Sequence, residues 1–128
     1  MDRIPDESDR AARAIVDASY AIHSKLGPGL LEKVYEVCLA YEIGRRGIEV
    51  HRQVAVPVIY DGVELEAALR LDLLVGECVI VEVKSIDSLA PIHTAQMLTY
   101  LRLTGLRLGL LVNFNVRLIK DGIKRSAL

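Results

Sequence analysis

Apolar positions from Ser8 onward step by four and three through Ala11, Ile15, Ala18, Ile22 and Leu26, the spacing of one helix face. Ser8 or Asp6 offers a capping oxygen, and the polar residues 1–8 read as a disordered N-terminal tail. Gly27-Pro28-Gly29 ends this helix, because Gly supplies a left-handed cap and Pro cannot continue it. A second helix is expected from Leu30 to Arg46, stopped by Gly47. Leu30, Leu31, Val34, Val37, Cys38, Leu39, Tyr41 and Ile43 cover most of its circumference, which predicts packing on more than one side.

The period then changes to two. Ile48, Val50, Val54, Val56, Val58 and Tyr60 read as a strand, and Asp61-Gly62 signals a hairpin into Val63, Leu65, Ala67 and Leu69. The runs Leu71–Val75 and Cys78–Val83 are apolar on both faces, as in strands covered on both sides. Pro91 suits a first helical turn, so a third helix is expected from there to about Thr104, before Gly105. Leu108–Phe114 and Val116–Lys120 read as two further strands, with Asp121-Gly122 as a late turn and a break at Asn113-Phe114-Asn115. The order α-α-β-β-β-α-β-β predicts an α/β sandwich with a central mixed sheet flanked by helices.

The chain has 128 residues, which predicts a single domain over 1–128, and 52% hydrophobic with 26% charged residues excludes disorder as its general state. A formal net charge of −1 excludes a strongly cationic coat for nucleic acid but leaves room for a local basic groove. Arg45, Arg46 and Arg52 form one such basic group and Lys120, Lys124 and Arg125 another. Either suits phosphate contacts or an ordinary solvated surface. No apolar run approaches a membrane span, the N-terminus is polar and acidic, and Cys38 and Cys78 have no metal-ligand spacing. A soluble, reducing, cytoplasmic setting is expected.

Polar residues interrupt the central strands. Asp72 lies inside Leu71–Val75, while Glu82 and Lys84 close the run Val79–Lys84 on one face, with Val83 on the other. A carboxylate there needs a partner or a metal, and a Glu82–Lys84 or Asp72–Lys84 ion pair would satisfy it equally. Register separates the cases. A two-residue Gly76-Glu77 loop would set Asp72 opposite Val81 and point it away from Glu82. A shared carboxylate site requires a three-residue loop, Gly76-Glu77-Cys78, or a bulge near Asp72. Converging carboxylates would suit Mg²⁺ or Mn²⁺, with Lys84 acting on a bound water and Glu32 completing the metal shell.

The stretch Gly29-Leu30-Leu31-Glu32-Lys33-Val34-Tyr35 resembles the signature of the GxxExxY protein family, within the PD-(D/E)xK nuclease superfamily. The resemblance continues through Arg70–Val75, Val81-Glu82-Val83-Lys84, Ala95–Leu101, Gly109–Phe114 and Gly122–Arg125. It implies a restriction-endonuclease-like αβββαβ core. It also implies metal ligation by Asp72, Glu82 and the Val83 carbonyl, a catalytic Lys84 and a first-helix acid, Glu32. Gln96 and Tyr100, one helical turn apart, resemble the extra polar residue that some superfamily nucleases place beside the lysine. Leu71, where the superfamily pattern has Pro, is a departure. The expected function is Mg²⁺- or Mn²⁺-dependent hydrolysis of phosphodiester bonds in nucleic acid, taken to be DNA. The alternative is a non-catalytic binding or assembly module on the same fold. With no helix-turn-helix, zinc module or aromatic stripe to read sequence, a homodimer or a targeting partner protein is expected. Tyr35, Tyr100, Cys38 and Cys78 are expected in the core, with the two tyrosine hydroxyls finding partners near the site. His93, one turn before Gln96, is a weak candidate for a phosphate contact, and His23 and His51 receive no role.

Overall fold

The computed structural model describes residues 6–128; residues 1–5 and the side chains at 67 and 68 lie outside it. Helix α1 (Asp6–Leu26) carries Asp6, Glu7 and Asp9 in its first turn and His23 and Lys25 in its last, a distribution that complements the helix dipole. It buries Ala11, Ile15, Ala18 and Ile22, while Leu26 stays exposed. Residues 6–8, expected in the tail, are helical, and Ser8 is buried inside the helix; the rest of the expected tail lies outside the described residues.

Helix α2 (Glu32–Arg45) buries Tyr35, Glu36, Leu39 and Ile43 on one side. Leu31, Val34, Val37 and Tyr41 on the other side are exposed, so the expected packing on more than one face is not met within the chain. The turn between the helices is held by Tyr35. Its hydroxyl donates to the Gly27 carbonyl (2.6 Å) and accepts from Leu30 N–H (3.1 Å). Its ring stacks on Phe114 at 4.4 Å, a geometry worth about 0.5–1.5 kcal/mol beyond burial. Gly29 sits at φ +99°, which the turn requires and a side chain would strain.

Five strands follow in spatial order β1-β2-β3-β4-β5. They are β1 (Val50–Tyr60), β2 (Val63–Val75), β3 (Val79–Lys84), β4 (Leu108–Asn113) and β5 (Ile123–Ala127). Neighbours are antiparallel except β3 and β4, which run parallel across the crossover helix α3 (Pro91–Thr104). β4 is buried along its whole length and β3 up to Lys84, as strands covered on both faces should be. One core cluster joins α1 and α2 to Leu73, Val75, Val79, Val81 and Val83; a second joins Met97 and Leu101 of α3 to Leu69, Leu71, Ile80 and Leu111.

The expected strand at Val116–Lys120 is not formed. A 3₁₀ turn covers Ile119–Gly122, and β5 begins only at Ile123. Ile119 enters the core while Leu118 is exposed. His23 Nε2–H donates to the Val116 carbonyl (2.7 Å) and holds this segment against α1.

Candidate functional site

The β2–β3 turn decides where the carboxylates point. Val75 pairs with Val79 and Leu73 with Val81, so the turn is the three-residue Gly76-Glu77-Cys78 and Asp72 falls opposite Glu82. Gly76 (φ +60°) and Glu77 (φ +56°) adopt the left-handed conformations of a tight hairpin turn, closed by Cys78 N–H donating to the Val75 carbonyl.

Backbone pairing between β2 and β3 stops at Leu73–Val81, and the two carboxylates replace it. Asp72 N–H donates to Glu82 Oε2 (2.8 Å), and Val83 N–H donates to Asp72 Oδ2 (2.8 Å). Each carboxylate thus spends one oxygen on a backbone amide. Asp72 Oδ1 and Glu82 Oε1 have no protein hydrogen bond among the described residues, yet neither is sealed from solvent. Burial raises the Glu82 pKa to about 8, with the Asp72 charge adding to the effect. Burial also raises that of Asp72, against the lowering by Val83 N–H. Two hard carboxylate oxygens without protein hydrogen bonds, on residues that bond each other's backbone and are both costly to ionise, are a donor set that a small divalent cation fits.

Lys84 shares the Glu82 face by strand period, and its charge lowers the pKa of both carboxylates. No salt bridge closes between Lys84 and either acid among the described residues, so the ion-pair alternative is not what the geometry shows. Glu32, exposed at the first turn of α2, acts on Asp72 through its charge. Its turn is docked next to Lys84, because Ser85 Oγ–H donates to the Leu30 carbonyl (2.6 Å). From α3, Gln96 and Tyr100 lie one helical turn apart, and the Tyr100 pKa is raised by burial and by the charges of Glu82 and Asp72. His93 is occupied at the start of α3, where Nδ1 accepts from Ala90 N–H (2.8 Å).

One member of this neighbourhood was not expected. Glu36 is 6% exposed, and its charge acts on both Asp72 and Glu82. The available signal was its place one helical turn after Glu32, beside the inward positions Tyr35 and Leu39. A separate group of metal-ligand types, Glu49, His51 and Glu77, gathers at the β2–β3 turn with ligand atoms within 4.8 Å of one another. All three are exposed, and His51 Nε2 lies 3.2 Å from Glu49 and 3.9 Å from Glu77, as in a surface ion-pair group.

No described helix is long and apolar enough to cross a membrane. No curated protein and no solved structure matches the chain. A family model described as the PD-(D/E)XK nuclease superfamily matches residues 9–126. The mixed sheet, the α3 crossover and the acids at the β2–β3 split accord with the restriction-endonuclease-like fold of that group. Nucleases of this superfamily use divalent metals and act on nucleic acid. The chain belongs to the PD-(D/E)XK nuclease superfamily.

Proposed function

We propose that this chain is a metal-dependent nuclease that hydrolyses phosphodiester bonds, with DNA as substrate and Mg²⁺ or Mn²⁺ as cofactor. The observation that carries the reading is the reciprocal bonding of Asp72 and Glu82, which leaves one oxygen of each acid free of protein hydrogen bonds, with Lys84 on the Glu82 face of β3. In this reading Asp72, Glu82 and the Val83 carbonyl hold the metal, and Glu32 completes its shell. The bound metal would supply a lowered water pKa and charge neutralisation at the phosphate. Lys84 orients the attacking water and stabilises charge on the non-bridging oxygens. Gln96 and Tyr100 would fix a water or phosphate oxygen beside the lysine from α3, where the charges of Glu82 and Asp72 reach Tyr100. The GxxExxY pattern supports a narrower family placement: Gly29 and Tyr35 build the α1–α2 turn, and that turn presents Glu32. Two free thiols, Cys38 and Cys78, accord with a reducing, cytoplasmic setting, and the exposed apolar stripe of α2 accords with a homodimer or a targeting protein.

The test is cleavage of plasmid, linear duplex, single-stranded DNA and RNA with Mg²⁺ and with Mn²⁺. Asp72→Ala and Glu82→Ala are expected to abolish metal-dependent cutting, and Lys84→Ala to reduce it roughly 100-fold or more. Cutting that persists in both acid variants would defeat the site assignment. Equal inertness of the wild type and all variants on every substrate would leave a non-catalytic binding module on the nuclease fold.

A further inference from the structure

Strands β1 and β2 change sides at the level of the carboxylates. Val50 packs with the α1–α2 cluster, but Val54, Val56 and Val58 pack with the α3 cluster. On β2, Leu73 and Val75 belong to the first cluster and Leu69 and Leu71 to the second. Residues of one parity share a face in a regular strand, so both strands lose phase between these positions. The pivot residues are Asp72 and Gln53, which face each other between the pairs Arg52–Leu73 and Val54–Leu71. Gln53 has φ +53°, a conformation that costs a side-chain-bearing residue about 1–2 kcal/mol.

The buried carboxylate of Glu36 holds this pivot. Its Oε1 accepts from Gln53 Nε2 (2.9 Å), and its Oε2 accepts from Arg52 Nε (3.1 Å), with Arg52 NH2 also at 3.1 Å. A buried ion pair contributes little net stability, so its main effect is on where groups point. It fixes two guanidinium groups around Gln53. Arg52 is clamped on Glu36 with NH1 left over and its side chain 38% exposed. Arg70 donates NH1 to the Gln53 carbonyl (3.1 Å), is exposed, and has no carboxylate partner among the described residues. Two anchored arginines with free N–H groups, held around Gln53 where β1 faces Asp72 of β2, suit an anion with repeated charges.

We propose that Arg52 and Arg70 form a phosphate-binding pair that grips the nucleic-acid backbone beside the Asp72–Glu82 pair, with Glu36 as the positioning residue that holds Arg52 directly and Arg70 through Gln53. This rests on the nucleic-acid substrate of the preceding reading but not on turnover. The test is equilibrium binding of a fluorescein-labelled 20-base-pair DNA duplex in EDTA between about 50 and 200 mM KCl. Arg52→Ala and Arg70→Ala should each weaken binding roughly tenfold near 0.1 M salt and reduce the slope of log K against log salt by about 1. Arg70→Lys should restore the slope. Glu36→Gln should keep the slope and weaken binding of the folded protein, whereas a purely structural Glu36 would alter only thermal stability. An unchanged slope in the Arg52→Ala/Arg70→Ala double variant overturns the proposal, as does a wild type that does not bind the duplex. Because cleavage is not read, an unchanged slope in the double variant leaves the nuclease reading standing. Cleavage indifferent to Asp72→Ala and Glu82→Ala would defeat the site assignment while leaving the salt slopes intact.

Discussion

The Glu82 carboxyl is buried with Asp72 against it, and these causes raise its pKa from 4.5 to about 8. The folded protein therefore holds this proton more tightly than the unfolded chain does. That stabilisation is complete below about pH 4.5 and is lost as pH rises toward 8. Glu82→Gln keeps an acceptor for Asp72 N–H and never ionises. In EDTA, its stability advantage over wild type should grow between pH 4.5 and 8 and then level off, by about 1.4 kcal/mol for each pKa unit of true difference. Urea denaturation across that range checks it, and a pH-independent difference would count against the assigned environment. Asp72, Glu82 and Lys84 could be singled out in the sequence because each interrupts an apolar run, and parity arithmetic then gave the length of the turn that would bring the acids together. Glu36 was not legible in the same way. Its role depends on Arg52 and Gln53, which lie on another element, and on a backbone angle at Gln53 that no residue type announces.

Among the elements, the β2–β3 turn has the most leverage, since it sets the parity of the whole hairpin. Glu77 holds a left-handed conformation there without being glycine. Glu77→Gly should therefore raise stability by about 0.5–1 kcal/mol, seen as a higher urea midpoint, and leave any metal response as in wild type. A lower midpoint would mean that the Glu77 side chain, near His51, contributes more than its backbone costs. Helices α1 and α3 and the Asp61-Gly62 hairpin were readable because periodicity and turn chemistry agree in them. The segment at Val116–Lys120 carries the β-branched and apolar residues of a strand, but its fate is set by which residue reaches the core, and that is Ile119. The apolar circumference of α2 predicts packing on more than one side without saying what covers each side. A sequence cannot distinguish a face covered by its own chain from a face left open.

At the scale of the molecule, two cores lie on opposite sides of one sheet, and the carboxylate pair stands where β2 leaves β3 and crosses from one core to the other. The formal net charge of −1 means that any attraction for polyanions must be local. Cation binding at the split should stabilise the whole domain, because the unfolded chain does not hold the acids together. A divalent ion at about 100 times its dissociation constant adds roughly 2.7 kcal/mol. Thermal unfolding should shift upward by several degrees with Mn²⁺ in the wild type and not in Asp72→Ala or Glu82→Ala. An equal shift in all three proteins would place the ion elsewhere, with the Glu49–His51–Glu77 group as the first place to look.

The reciprocal bonding of Asp72 and Glu82 has a spectroscopic consequence. The amide protons of Asp72 and Val83 are donated to carboxylate oxygens and not to a neighbouring strand. Their ¹⁵N–¹H resonances are therefore coupled to the protonation and ligation of those oxygens. Selective labelling of aspartate and valine makes two backbone amides into internal indicators of the site, readable with no substrate present.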